Sequence, residues 1–222
     1  MKISHKNSKE AIENRSYVID LETGGLDPYK NGIVSLCLKR LGFNDPKENN
    51  TFYIKPKKNK LYSYEAWKTN RISLHDLTNN KVTNSLRVAL DYILLNLFTT
   101  KTITLIGHNI DNFDIKFLYQ GAREENVTLP PIFTIDTMAL AKRHLKDPKI
   151  LKSVSLETVT NYFLENPVIY DEKTNQLRQK LVEKTNFHDA EYDVVACEFI
   201  YHNLIKLETA EEEKEGKGGL EK

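Results

Sequence analysis

Apolar and polar positions alternate from Tyr17 to Glu22, placing Val18, Asp20 and Glu22 on one side and Tyr17, Ile19 and Leu21 on the other. A period of two predicts a strand, and Thr23-Gly24-Gly25 stops it. Ile33 to Leu41 is a second apolar run, and Thr51 to Lys55 a third that ends at Pro56. The three suit an antiparallel meander. Beyond a polar connection, Leu86, Leu90, Ile93, Leu94 and Leu97 recur at i, i+4, i+7, i+8 and i+11, the stripe of an amphipathic helix. Thr102 to Ile106 predicts a short strand ending at Gly107, Phe113 to Arg123 a helix, and Ile132 to Ile135 another strand. Helices follow over Met138 to His144 and Leu156 to Phe163, then a polar, irregular insertion from Glu165 to Asn186, and a long helix from Asp189 to Leu207.

Three strands followed by alternating helix and strand predict an α/β fold. Its mixed sheet would hold three antiparallel strands and then parallel ones, flanked by helices. No internal repeat interrupts the pattern. The expected organisation is a polar segment over 1–15, one folded domain over 16–207, and a disordered charged tail over 208–222.

Composition narrows the function classes. The 222 residues carry a formal charge of +1, with 32 Lys and Arg against 31 Asp and Glu, so any polyanion must be met by a local patch. No apolar stretch approaches the roughly 20 residues of a membrane span, and Met1 to Arg15 lacks the apolar core of an export signal. A cytoplasmic protein without membrane contact is expected. Cys37 and Cys197 sit in apolar surroundings without metal-ligand spacing, as reduced core residues do.

Acids occupy positions that a core would fill. Asp20 and Glu22 point the same way from one strand, and no Lys or Arg lies between Tyr17 and Tyr29. Unit charges 4 Å apart at an effective dielectric of about 20 repel by roughly 4 kcal/mol. A solvated edge strand would tolerate this, and a divalent cation would relieve it. In the last helix Asp193 shares a stripe with Ala196, Cys197, Ile200 and Leu204, and a carboxylate on a buried stripe needs a partner. His188 lies five residues before Asp193, and can face the same site only from the helix start or the preceding loop. Asp114 falls in the first turn of the helix predicted after Gly107-His108-Asn109, where the helix dipole favours a carboxylate.

Asp20-Leu21-Glu22-Thr23-Gly24, His108-Asn109 with Phe113-Asp114, and His188-Asp189-Ala190-Glu191-Tyr192-Asp193 together resemble the three motifs of the DEDD exonucleases. The His188 to Asp193 spacing is that of the His branch, the DnaQ-like DEDDh family; the Tyr branch would put Tyr at 189, where this chain has Asp. Weaker similarity at Phe52 to Pro56 and Ile135 to Met138 extends the resemblance over about Tyr17 to Leu207. Two departures stand out. Thr23-Gly24-Gly25 replaces the usual Thr-Thr-Gly and is expected to loosen the loop, and three residues instead of two separate Asn109 from Phe113.

The resemblance implies a ribonuclease-H-like fold, two Mg²⁺ or Mn²⁺ ions, and release of nucleoside 5′-monophosphates from a 3′ end. On that pattern Asp20, Glu22, Asp114 and Asp193 hold the metal and His188 is the general base. Thr23, Leu26, Asn109 and Phe117 would meet the terminal nucleotide, Leu26 as a wedge. Basic runs at Lys55, Lys57, Lys58 and Lys60, and at Lys142, Arg143 and Lys146, are candidates for tracking phosphates without base specificity. The expected substrate is a single-stranded or frayed DNA 3′ end, in a proofreading or repair role. An RNA 3′ end, as for ribonuclease T, is the nearest rival, and a silent nucleic-acid-binding or polymerase-scaffold domain a more distant one. A DNA polymerase or a second copy of the chain remains open as a further partner.

Overall fold

The computed structural model describes residues 16–43, 49–79, 83–97, 103–145, 147, 151–169, 171–183 and 187–218. The segment over 1–15, Lys146 and the end of the 208–222 tail lie outside them.

Among the described residues, five strands form one sheet in the order β3-β2-β1-β4-β5. They are β1 (Ser16–Thr23), β2 (Ile33–Arg40), β3 (Asn49–Tyr53), β4 (Ile103–Gly107) and β5 (Ile132–Asp136). β1, β2 and β3 pair antiparallel, and β4 and β5 add parallel to β1. This is the mixed sheet that the sequence predicts. The period of two in β1 divides the core accordingly. Val18 joins Cys37, Ile106 and the apolar side of the last helix on one face. Ile19 and Leu21 join Leu36, Leu38, Leu90 and Phe117 on the other. Both cysteines are free and buried, as expected.

Helices cover both faces. They are α1 (Tyr64–Asn70), α2 (Leu74–Asn79), α3 (Leu86–Tyr92, continued by a π turn over Ile93–Leu97), α4 (Asp114–Glu124), α5 (Thr137–His144), α6 (Leu156–Glu165), α7 (Glu172–Glu183) and α8 (Ala190–Gly218). Four depart from expectation. The polar connection before Leu86 holds α1 and α2, too short to show a helical period. Ser63 nonetheless caps α1 by accepting from Ala66 N at 3.1 Å. The insertion expected to be irregular holds α7, which buries only Thr174, Leu177 and Leu181 and is capped by Asp171 accepting from Thr174 N at 2.8 Å. The final helix continues to Gly218, through residues expected to be disordered, because its Ala, Glu and Lys are strong helix formers.

One buried ion pair ties β2 to α8. Lys39 Nζ meets the Glu198 carboxylate, with both side chains essentially inaccessible to solvent, and also donates to Phe43 O at 2.6 Å. Gly42 N–H donates to Glu198 at 2.8 Å. Among the described residues, no helix is long and apolar enough to cross a membrane.

Candidate active site

The site arises where two parallel strands part. β1 pairs with β4 only from Ser16 to Val18, while its antiparallel pairing with β2 continues to Thr23. Past that fork the Leu21 N–H donates to Asp114 Oδ1 at 3.1 Å instead of to a strand. Asp20 and Glu22 therefore stand at the carboxyl end of β1, beside the crevice that opens between diverging strands.

Asp114 is the first residue of α4 and is buried. The turn before it absorbs the extra residue between Asn109 and Phe113. Asn109 takes a left-handed φ of 66°, and its carbonyl accepts from both Asn112 N and Phe113 N at 3.1 Å. Asp136 fixes this turn by accepting from Asn109 N at 2.9 Å while it caps α5 through Met138 N at 2.9 Å. His108 is held by both ring nitrogens, Nδ1 to Thr137 Oγ1 at 3.0 Å and Nε2 to Val154 O at 2.8 Å, so it serves as a strut.

On the far wall, α8 carries Asp193 at its start. His188 lies in the loop before that helix, exposed, with a left-handed φ of 69°. That turn lets the His188 N–H donate to Asp193 Oδ2 at 3.1 Å and brings the imidazole round to the acids. One ligand atom each from Glu22, His188 and Asp193 lies within 4.8 Å of the others. Asp20, Glu22, Asp114, His188 and Asp193 all line one cleft of about 620 Å³.

Electrostatics in the cleft oppose four ionised carboxylates. Burial first, and Asp189 next, push Asp20 up to about 7. Glu22 is pushed up to about 9 by burial and then by Asp20, Asp193, Asp114 and Asp189. Burial and Asp20 raise Asp193 to about 9 against the lowering effect of the His188 N–H. Asp114 is raised well above its ordinary value by burial and Asp20. Among the described residues that line the cleft, none is Lys or Arg. Among the described residues, Asp193 Oδ1 is buried without a hydrogen-bond partner. A hard divalent cation fits this donor set, because carboxylate oxygens are its preferred ligands and its charge supplies what the side chains do not.

The expected substrate contacts divide. Thr23, Leu26 and Asn109 line the cleft. Phe117 does not: it is buried in the core beneath α4, since α4 begins only at Asp114 and residue 117 lies a turn inside. Phe113 lines the cleft instead and packs against Phe117, ring centroids 5.0 Å apart and planes tilted by 49°. The glycine loop is pinned, not loosened. Gly24 N donates to Gly32 O at 2.7 Å and Ser63 N to Gly24 O at 2.8 Å, and a Cβ on Gly24 would stand 2.7 Å from Leu61 O. The first basic run is partly consumed internally: Lys57 pairs with Glu124 and Glu125, and Lys60 with Glu124. In the second, Arg143 pairs with Glu208.

Sequence reading missed the contribution of α1, whose Glu65, Ala66, Thr69 and Asn70 line the cleft. Asn70 anchors the strand end by donating to Thr23 O at 3.2 Å. The Ser63 cap was the available signal. Asp189, whose charge raises three of the site acids, left no signal beyond its place beside His188.

Residues 17–201 match the family model described as exonuclease, RNase T. Comparison with curated protein sequences found no match. Among solved structures, the zinc-bound complex of E. coli exonuclease I with single-stranded DNA aligns with a TM-score of 0.63 at 20% identity, over 86% of this chain and 40% of that one. The E. coli enzyme with a dA16 oligonucleotide gives 0.63 and 20% over the same shares. A product-bound exonuclease I gives 0.60 and 17%, over 86% of this chain and 43% of that one. These likenesses establish a common ribonuclease-H-like fold. The chain spans well under half the length of these structural relatives.

Proposed function

The chain belongs to the RNase T exonuclease family, and from that membership we propose a metal-dependent 3′ to 5′ exonuclease that removes nucleoside 5′-monophosphates from single-stranded or frayed DNA. The observation that carries this reading is the meeting of acids from three separate chain segments in one cleft, with no Lys or Arg among the described residues that line it. Structural relatives bind single-stranded DNA, which favours DNA as the substrate. RNA 3′ ends are the second reading, favoured by the ribonuclease T in the family's own description.

In this reading Asp20, Glu22, Asp114 and Asp193 hold two Mg²⁺ or Mn²⁺ ions. Bound there, the ions supply Lewis-acid stabilisation of the phosphoryl oxygens and acidify a water molecule. The remaining work falls to the chain. His188 takes the proton from the attacking water at a ring nitrogen and returns it to solvent, a role suited to an exposed side chain at the cleft mouth. The His188 N–H, by holding Asp193 Oδ2, couples the base to the carboxylate beside it. Thr23, Leu26, Asn109 and Phe113 surround the terminal nucleotide, and Leu26, on the pinned glycine loop, wedges against its base.

The test is digestion of 5′-labelled single-stranded DNA and RNA of one sequence in Mg²⁺ or Mn²⁺, with Asp20→Ala beside the wild type. A ladder shortening from the 3′ end in the wild type alone supports the assignment. Products bearing 3′-phosphates, or an Asp20→Ala protein as active as the wild type, would reject it.

A further inference from the structure

Exposed apolar side chains gather on one lip of the cleft. Leu26, Tyr29, Leu61, Tyr64 and Trp67 are between 44% and 85% exposed, and they come from two segments bonded to each other. Leu61 N donates to Lys30 O and Ser63 N to Gly24 O, both at 2.8 Å, while Lys60 Nζ donates to Pro28 O and Tyr29 O at 2.9 Å. The backbone under the lip is thus fixed while its large side chains face water. A contiguous exposed apolar patch marks an interaction site.

Two of these side chains form a platform. Tyr64 and Trp67, three residues apart on α1, hold their ring centroids 5.2 Å apart at 37°. α1 is the helix whose Ala66, Thr69 and Asn70 line the catalytic cleft. A groove of about 350 Å³ bordered by Tyr64, Trp67 and Leu74 shares Thr23, Ser63, Ala66 and Asn70 with that cleft. The lip is therefore continuous with the active site. Exposed Lys68 and Arg71 adjoin the platform, whereas the cleft itself lacks Lys and Arg among its described lining residues.

We propose that the Tyr64 and Trp67 platform receives the unpaired nucleotides lying 5′ of the terminal one, stacking their bases and making longer single strands better substrates than dinucleotides. The proposal rests on the exonuclease reading and extends its substrate site. Base stacking on aromatic rings suits this surface because every base offers a π face, so grip is gained without sequence readout. Phosphates on this path meet Lys68 and Arg71 and avoid the acid cluster.

Trp67 is the sole tryptophan, so intrinsic emission reports on the platform directly. The full chain is titrated with a thymidylate octamer made resistant by a 3′-terminal phosphorothioate, and with the matching dinucleotide. Steady-state KM is then measured on unmodified octamer and dinucleotide for wild type, Trp67→Ala, Trp67→Phe and Tyr119→Ala. The octamer is expected to quench Trp67 emission far more than the dinucleotide. Trp67→Ala is expected to raise the ratio of octamer KM to dinucleotide KM about 10-fold, the order of one lost base stack, and Trp67→Phe to restore most of it. Tyr119→Ala, an exposed aromatic elsewhere on the surface, should leave the ratio alone. An octamer that is hydrolysed without quenching Trp67, or an unchanged ratio in Trp67→Ala, would overturn the platform while leaving the exonuclease reading intact. Failure of the wild type on both substrates would overturn that reading first. A Trp67→Ala protein altered in sedimentation but not in the KM ratio would make the lip a self-association face and overturn the proposal.

Discussion

Replacing Asp193 by Asn should make the metal-free protein more stable and less responsive to metal. The amide keeps an oxygen to accept the His188 N–H that now meets Oδ2 at 3.1 Å, and its NH₂ would fill the place of Oδ1, which is buried without a partner among the described residues. Facing ligand atoms of Glu22 and Asp193 lie within 4.8 Å, where two unit charges at an effective dielectric of about 20 repel by roughly 3 to 4 kcal/mol. Glu22 keeps some contact with solvent, so screening reduces the relief to about 1 to 2 kcal/mol. For a domain of this size that is roughly 2 to 8 °C in Tm. The pH dependence has a definite sign. Both carboxyls sit near 9 in the folded protein, against ordinary values of 4.5 and 3.8. The folded state therefore binds more protons than the unfolded one across that interval, and metal-free stability falls as pH rises from about 4 to about 9. The variant removes one contributor, so its advantage should be small at pH 4.5 and largest near pH 8.5. Melting followed by circular dichroism in EDTA at both pH values measures this, and repetition in Mn²⁺ measures the linkage. Ligand at 100 times its Kd stabilises by about 2.7 kcal/mol, a gain expected in the wild type and diminished in Asp193→Asn. A variant that melts below the wild type in EDTA at pH 8.5, or that gains as much from Mn²⁺, would refute the reasoning.

His188→Ala should lower kcat by about 10² to 10⁴, the usual contribution of a positioned base, in steady-state digestion of labelled oligonucleotide; a loss below 10-fold removes His188 from the proposed proton transfer. Lys39→Ala leaves Glu198 buried without its cation and should cost about 3 to 5 kcal/mol in urea unfolding, whereas Lys39→Met with Glu198→Leu should recover much of that; equal losses in both proteins would contradict it. Phe113→Ala and Phe117→Ala separate cleft from core. The first should raise KM with little change in unfolding free energy, and the second should destabilise by about 3 to 5 kcal/mol; the opposite pattern would return Phe117 to the substrate.

What the sequence disclosed followed from periodicity and from misplaced charge. The alternation over Tyr17 to Glu22 fixes which side of β1 meets each half of the core, and the two acids on the Val18 side lead to the cleft. Asp193 on the stripe of Ala196, Cys197, Ile200 and Leu204 was legible for the same reason: an acid among positions that the core cluster buries. Elements with weak periodicity were hidden. α1 has seven residues, and α7 turns only three side chains inward, so neither writes a stripe long enough to read. Phe117 was misassigned because its neighbour Phe113 carries the same side chain one turn earlier, and only the start of α4 at Asp114 decides which ring reaches the cleft.

Residues that act through backbone geometry lay further from view. Asn109 and His188 both take left-handed conformations, and each turn re-aims a segment: one delivers Asp114 to the fork of β1 and β4, the other brings an imidazole beside Asp193. Neither residue is glycine, and although Asn and His enter this region more often than most side chains, their presence alone does not announce a bend. Each bend is held by a hydrogen bond to a distant or facing carboxylate, Asp136 for Asn109 and Asp193 for His188. The acids of this cleft thus have two duties. Asp193 shapes the loop that carries the proposed base with one oxygen and leaves the other turned to the cation that the cluster requires, so loss of its charge should be felt in metal binding before it is felt in the fold.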